Sequence, residues 1–279
     1  MIKIITDSTN NLSQDVLEQY DIRVAPTSIQ FGDETFEEGI DIDHDLFYRK
    51  IEELGIIPTS SQPTPAWFAR FYRELMEQGH SILVITVTSK HSGTYDSAML
   101  AKSMVPEADV EVFDSLSISL GMGWMILEAA RAIEADHDRK RILRRLTEIR
   151  DRAELIITPA TLKYLQMSGR VGRLQGALAS LLNVKPIIAL KDGVLEAIEN
   201  VRTRGKALDR VIELIENAVG TSEPINLAVI HARAQEDGRK LLERSKEIFN
   251  CREILMADLV CSLAVHGGPG ILGLFAYRA

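Results

Sequence analysis

Residues 81–97 read SILVITVTSKHSGTYDS, and the succession of textures within them decides the fold. Residues 81–89 are a nearly unbroken apolar, β-branched run bounded by polar residues, the pattern of a strand buried on both faces. Ser92-Gly93-Thr94 then opens a helical stretch over 94–104. A buried strand running into a helix is half of a βαβ unit, and the alternation repeats on either side. Residues 2–5, 23–31, 110–115 and 154–159 read as strands; 44–54, 65–78, 118–135 and 140–153 read as helices. The pattern predicts an α/β fold whose first domain is a mainly parallel sheet with flanking helices.

Beyond about residue 160 the texture changes. KPIIALKDGVLEAIENV reads as two strands about a Lys-Asp-Gly turn; 206–219 and 236–249 read as helices, INLAVIHA as a strand, and the chain returns to strands through HGGPG. Hairpins mixed with helices predict a second, mixed α/β domain. The expected division is 1–160 and 161–279, with a ligand in the cleft between them.

Whole-chain properties narrow the function. The 279 residues suffice for two ordinary domains. Apolar residues make up 46% and charged residues 26%, a globular composition. A formal net charge of −8 weighs against nucleic acid or an anionic membrane as a bulk partner. The densest basic run, RKRILRR at 139–145, interleaves apolar residues at helical spacing and reads as a solvated helix face. Cys251 and Cys261 have apolar neighbours and no zinc-like spacing, as buried thiols in a reducing cytoplasm do. No leader pattern opens the chain, and no apolar stretch approaches the ~18 residues of a membrane span. A cytoplasmic protein without stable membrane insertion is expected.

Three segments carry candidate chemistry. Ser92 stands next to His91, but no G-x-S-x-G elbow surrounds it, and adjacent side chains usually diverge. A serine hydrolase acting on an acyl substrate through Ser92 is therefore the alternative, not the leading reading. Ser92, Gly93 and Thr94 suit an anion instead: free N–H groups, a dipole end, two hydroxyls and a glycine that admits close approach. Simple capping explains the same residues. PTSSQPTPAWF at 58–68 repeats the theme, a hydroxyl-rich loop with Ser60 and Ser61 ahead of a helix opened by proline. HGGPGILGLF at 266–275 formally contains G-x-G-x-x-G, but only six residues follow, too few for a dinucleotide fold; its glycines read as a turn presenting His266. Asp41, Asp43 and Asp45 fit a helix N-terminus better than a calcium loop. No phosphate loop or metal motif is found, so no metal or cofactor is expected. Arg170 and Arg173, with Arg202, Arg204 and Lys206, read as a local basic rim for an anionic head group or an acidic partner.

Taken in order, Asp7-Ser8-Thr9, 59–63, 92–95, 113–115, Gly169-Arg170, Lys185-Pro186, 202–204 and 266–270 resemble the DegV family over essentially the whole chain. The resemblance implies a two-domain DegV-like fold and a non-catalytic protein that binds a long-chain fatty acid such as palmitate, stearate or oleate. It implies that the carboxylate is presented to a separate fatty acid kinase catalytic subunit, which uses ATP to make acyl phosphate. On the family pattern Ser60, Ser92 and His266 hold the carboxylate, beside Ser61, Gly93 and Thr94. Arg170, Arg173 and Arg202 face the partner or phosphate. The chain departs by carrying Ser60 where threonine is usual, which frees that rotamer, and Gly267 after the histidine. An apolar tunnel suits such a ligand. At ~0.8 kcal/mol per CH₂, a sixteen-carbon tail supplies on the order of ten kcal/mol before costs. Met122, Met125, Ile271 and Phe275 are the lining candidates nearest the motifs.

Overall fold

The computed structural model describes residues 1–169 and 184–279. They form two compact units, 1–150 with 260–262, and 151–259 with 263–279. In the first unit, β1 (Ile2–Asp7), β2 (Arg23–Ala25), β6 (Ser81–Thr86) and β7 (Val110–Asp114) make a parallel sheet in the order β2-β1-β6-β7. Ile4 pairs with Leu83 and Val84 with Val112. Ile82, Leu83, Val84 and Ile85 are all fully buried, which is why the run shows no alternation: both faces are covered. Ile82 and Val84 pack with Phe68, Tyr72, Ala98 and Ala101 of the helices Pro65–Glu77 and Thr94–Met104. The helix Leu120–Glu134 packs on β1 and β6.

Residues 23–31 are not one strand. Pro26 fixes φ and removes a donor, so the run splits into β2 and β3 (Ser28–Phe31), which join different sheets. β3 lies between β4 (Glu34–Glu37) and β5 (Thr59–Ser61) in a small antiparallel sheet. The hydroxyl-rich loop read within 58–68 is thus partly an edge strand, and the three residues of β5 are too few to show a period.

The second unit is built on a mixed sheet in the order β10-β9-β8-β13-β11-β12. Its strands are β8 (Glu154–Thr158), β9 (Lys185–Lys191), β10 (Val194–Val201), β11 (Ile225–His231), β12 (Cys251–Asp258) and β13 (Leu272–Arg278). β11 and β12 run parallel, and the other pairings are antiparallel. Val211 and Ile215 of the helix Arg204–Val219 and Leu241 of the helix Gln235–Ile248 close the core over Ile187, Leu227, Val229 and Leu274. A short helix, Cys261–Gly267, begins in the first unit and ends in the second. Among the described residues no helix is long and apolar enough to cross a membrane.

Candidate functional site

In the first unit polar residues gather where β1, β6 and β7 end, the edge at which parallel sheets place ligands. Asp7 closes β1 and is fully buried. Its Oδ1 accepts from the Thr9 N–H at 3.0 Å and the Thr9 hydroxyl at 2.5 Å, and its Oδ2 from the Val87 N–H at 2.9 Å. Burial raises its pKa above the ordinary carboxylate value, against those three bonds, and the nearby charge of Glu38 adds to the rise. Asp7 therefore ties the end of β1 to the loop leaving β6, the loop that runs on to Ser92. On the β7 side Asp114 Oδ1 accepts from the Ser89 and Leu116 N–H groups.

Ser92 is half-buried and Thr94 fully buried. Their hydroxyls lie 2.8 Å apart, and the Thr94 N–H points at Ser92 Oγ at 3.3 Å. Gly93 caps the helix Thr94–Met104 without a side-chain bond. A Cβ on Gly93 would stand 2.8 Å from Gln62 Nε2. The side chain following Ser60 and Ser61 thus lies directly on the Ser92–Thr94 turn, and the two hydroxyl-rich segments converge. Ser60 is half-buried and registers with Ile29; Ser61 is exposed and registers with Ser28. The Ser92 and Thr94 hydroxyls and the helix-start N–H groups thus gather as donors at one turn.

Deeper in the same unit lies Glu38, a buried carboxylate that no sequence motif marks. Its Oε2 accepts from Ser8 Oγ at 2.6 Å, Thr27 Oγ1 at 2.9 Å and Ser262 Oγ at 2.5 Å; its Oε1 accepts from the Ser262 N–H at 2.8 Å. Asn11 Oδ1 accepts from Ser119 Oγ at 2.9 Å and the Val260 N–H at 3.4 Å. Glu38 and Asn11 explain why residues 260–262 belong to a unit otherwise ending at 150. Asp43 caps the helix His44–Leu54 through the Leu46 N–H at 2.8 Å, so the aspartate triplet is helix-starting chemistry.

In the second unit His266 is half-buried in the last turn of the helix Cys261–Gly267, with its Nδ1 screened from solvent. The sequence does not announce this short helix, because seven residues hold too few turns to show a period. The following glycines are required. Gly268 and Gly270 have φ of 69° and 82°. Gly268 sits against the ring of Tyr164, and a Cβ on Gly270 would lie 2.8 Å from that of Ala160. Arg204, expected in the basic rim, instead points inward: Nη1 donates to the Thr158 carbonyl at 3.1 Å and Nη2 to the Gly270 carbonyl at 2.6 Å. Lys185 donates to the Ala160 carbonyl at 3.0 Å. Arg202 and Lys206 are exposed. Arg170 and Arg173 lie outside the described residues.

Met122 and Met125 are buried on the helix Leu120–Glu134, and Ile271 and Phe275 around and within β13. Among the described residues no cluster of three or more metal-ligating side chains occurs. The inward roles of Glu38, Asn11, Tyr164 and Arg204 carry no sequence signal. An acid, an amide or an arginine in a polar stretch looks solvated until tertiary structure buries it.

The family model described as "Uncharacterised protein, DegV family" matches residues 1–279. A DegV domain-containing protein of Clostridium perfringens is 34% identical over 275 residues, 98% of this chain and 97% of the relative. Among solved structures, one described as fatty acid binding of a DegV family protein from Thermus thermophilus superposes with a TM-score of 0.94 at 31% identity, covering 100% of this chain and 99% of that one. A stearic acid-binding protein from Eubacterium ventriosum gives 0.93 at 27% identity, covering 100% and 98%. The sheets and helices seen here follow that fold.

Proposed function

The chain belongs to the DegV family, and from that premise we propose that it is a non-catalytic carrier of a long-chain fatty acid such as palmitate, stearate or oleate. Ser60, Ser61, Ser92, Gly93, Thr94 and His266 hold the carboxylate. Arg170, Arg173 and Arg202 face a separate kinase subunit that phosphorylates the presented carboxylate with ATP, in the cytoplasm. One observation carries the lipid reading: the fold matches, end to end, that of a Thermus thermophilus protein described by its fatty acid binding, at 31% identity. The convergence of Gln62 on the Ser92–Thr94 turn supports the assignment of the head-group residues. Hydroxyl and backbone donors gathered at one helix start suit holding a carboxylate.

Native mass spectrometry of the purified protein tests the reading. A mass excess of a few hundred daltons, lost on denaturation and recovered as fatty acid in the organic extract, is expected. A protein that stays at its apo mass after incubation with palmitate and oleate overturns it. The kinase role is tested by acyl phosphate formation, expected only when a separate kinase subunit and ATP are both supplied.

A further inference from the structure

We infer that Arg204 is a positioning residue for His266, acting through the glycine turn that follows the histidine. The inference rests on the carboxylate-binding role proposed above. Residues 267–270 are Gly-Gly-Pro-Gly, a segment whose glycines restrict the backbone weakly. A histidine at the end of a short helix is only as well placed as the turn it leads into. The second unit supplies the missing restraint. Arg204 bridges two carbonyls, that of Thr158 at the end of β8 at 3.1 Å and that of Gly270 at 2.6 Å. The Gly270 N–H donates to the Ala232 carbonyl at 2.7 Å, and the Gly268 N–H to the Ala264 carbonyl at 2.9 Å. Tyr164 covers Gly268, and Ala160 abuts Gly270. Of these neighbours Arg204 alone uses a side-chain fork to join the turn to the sheet. A planar guanidinium fixes both acceptors in one geometry, which an ammonium does not. The exposed members of the same run, Arg202 and Lys206, are left to meet partners.

The test compares wild-type protein with R204K and R204Q. Release of oleate and of oleyl alcohol, which has the same tail and no carboxylate, is measured for each, with hydrogen exchange of the 264–271 segment in delipidated protein. Oleate release is expected to quicken roughly ten-fold in both variants, the scale of one charge-assisted hydrogen bond. Oleyl alcohol release is expected to stay unchanged while 264–271 exchanges faster. Wild-type oleate retention in R204K, where charge survives and the fork does not, overturns the inference. So does equal loss of both ligands, which marks a general structural role. Should wild-type protein take up neither ligand, the carrier reading fails, and the exchange measurement still decides whether Arg204 holds the turn. Should R204Q fail to fold, R204K decides alone.

Discussion

At Gly93 the side chain is missing for a reason the backbone does not supply. Its φ of −81° and ψ of 10° are open to any residue, so the requirement lies in the 2.8 Å that would separate a Cβ there from Gln62 Nε2. Gly93→Ala should therefore push a flexible amide aside rather than break the helix. The expected cost in stability is within about 1 kcal/mol, while oleate retention falls clearly; restoring retention by adding Gln62→Ala would show that the contact, and not the helix start, matters. Thermal unfolding and ligand release measured on the same samples check it. The segment 92–94 is legible as a helix start because its residues are local to one another. The role of Gln62 is not, because about thirty positions separate it from the turn it touches. Arg204 misleads for a related reason: a basic residue between two exposed ones reads as a rim until the structure turns it toward two carbonyls.

Elements with a full period are legible almost to the residue. His44–Leu54 falls where the apolar spacing puts it, Thr94–Met104 runs over the residues read as helical, and β6 is the buried run that sets the fold class. Strands of three or four residues, such as β4 and β5, carry no readable alternation, and the small sheet they build with β3 leaves no trace in the pattern. How closely elements pack is likewise written in no pattern. In the helix Leu120–Glu134 a Cβ at Gly123 would lie 2.6 Å from the Asn10 carbonyl and 3.3 Å from the Leu12 side chain. Backbone cannot move as a side-chain end can, so Gly123→Ala should cost about 1–3 kcal/mol by overpacking, read as a lower urea midpoint. The helix Arg139–Arg152 offers a pH signature instead. Arg139 donates to Asp109 through Nη1 and Nη2, and those hydrogen bonds, with one from Ser81, lower the Asp109 pKa from 3.8 to about 2. A depressed carboxyl contributes stability above its unfolded value, near 3.8, and loses it as pH falls through about 2. The pair is largely exposed, so the contribution is about 0.2–1 kcal/mol. Arg139→Gln should lower stability slightly at pH 7, and its deficit relative to wild type should vanish near pH 2. A constant deficit across that range would assign the loss to packing of the arginine stem.

At the scale of the molecule, composition and the succession of elements announce two α/β units, but nothing in the sequence announces that residues 260–262 return to the first. The reason is a single buried carboxylate. Glu38 accepts from Ser8 and Thr27, both within the first unit's N-terminal segment, and twice from Ser262, more than two hundred positions away. A fragment ending at residue 150 keeps the first two partners and loses the last, along with the Val260 N–H that Asn11 accepts. This makes the effect of one substitution depend on chain length. In the intact protein Glu38→Ala removes the shared acceptor of three hydroxyls and an N–H, and the Ser8–Thr27 hydroxyl pair recovers only part of it, so the expected loss is about 3 kcal/mol. In the 1–150 fragment half of those bonds are already gone, so the same substitution should cost markedly less. The difference between the two losses is the coupling between Glu38 and the chain beyond residue 150, where Ser262 supplies its direct bonds. Urea unfolding of four proteins, intact and fragment with and without Glu38→Ala, measures it. Equal losses would show that Ser262 contributes nothing to the first unit and that only the hydroxyls of Ser8 and Thr27 keep Glu38 in place. Unequal losses would show that the first unit is energetically complete only when the chain comes back to it.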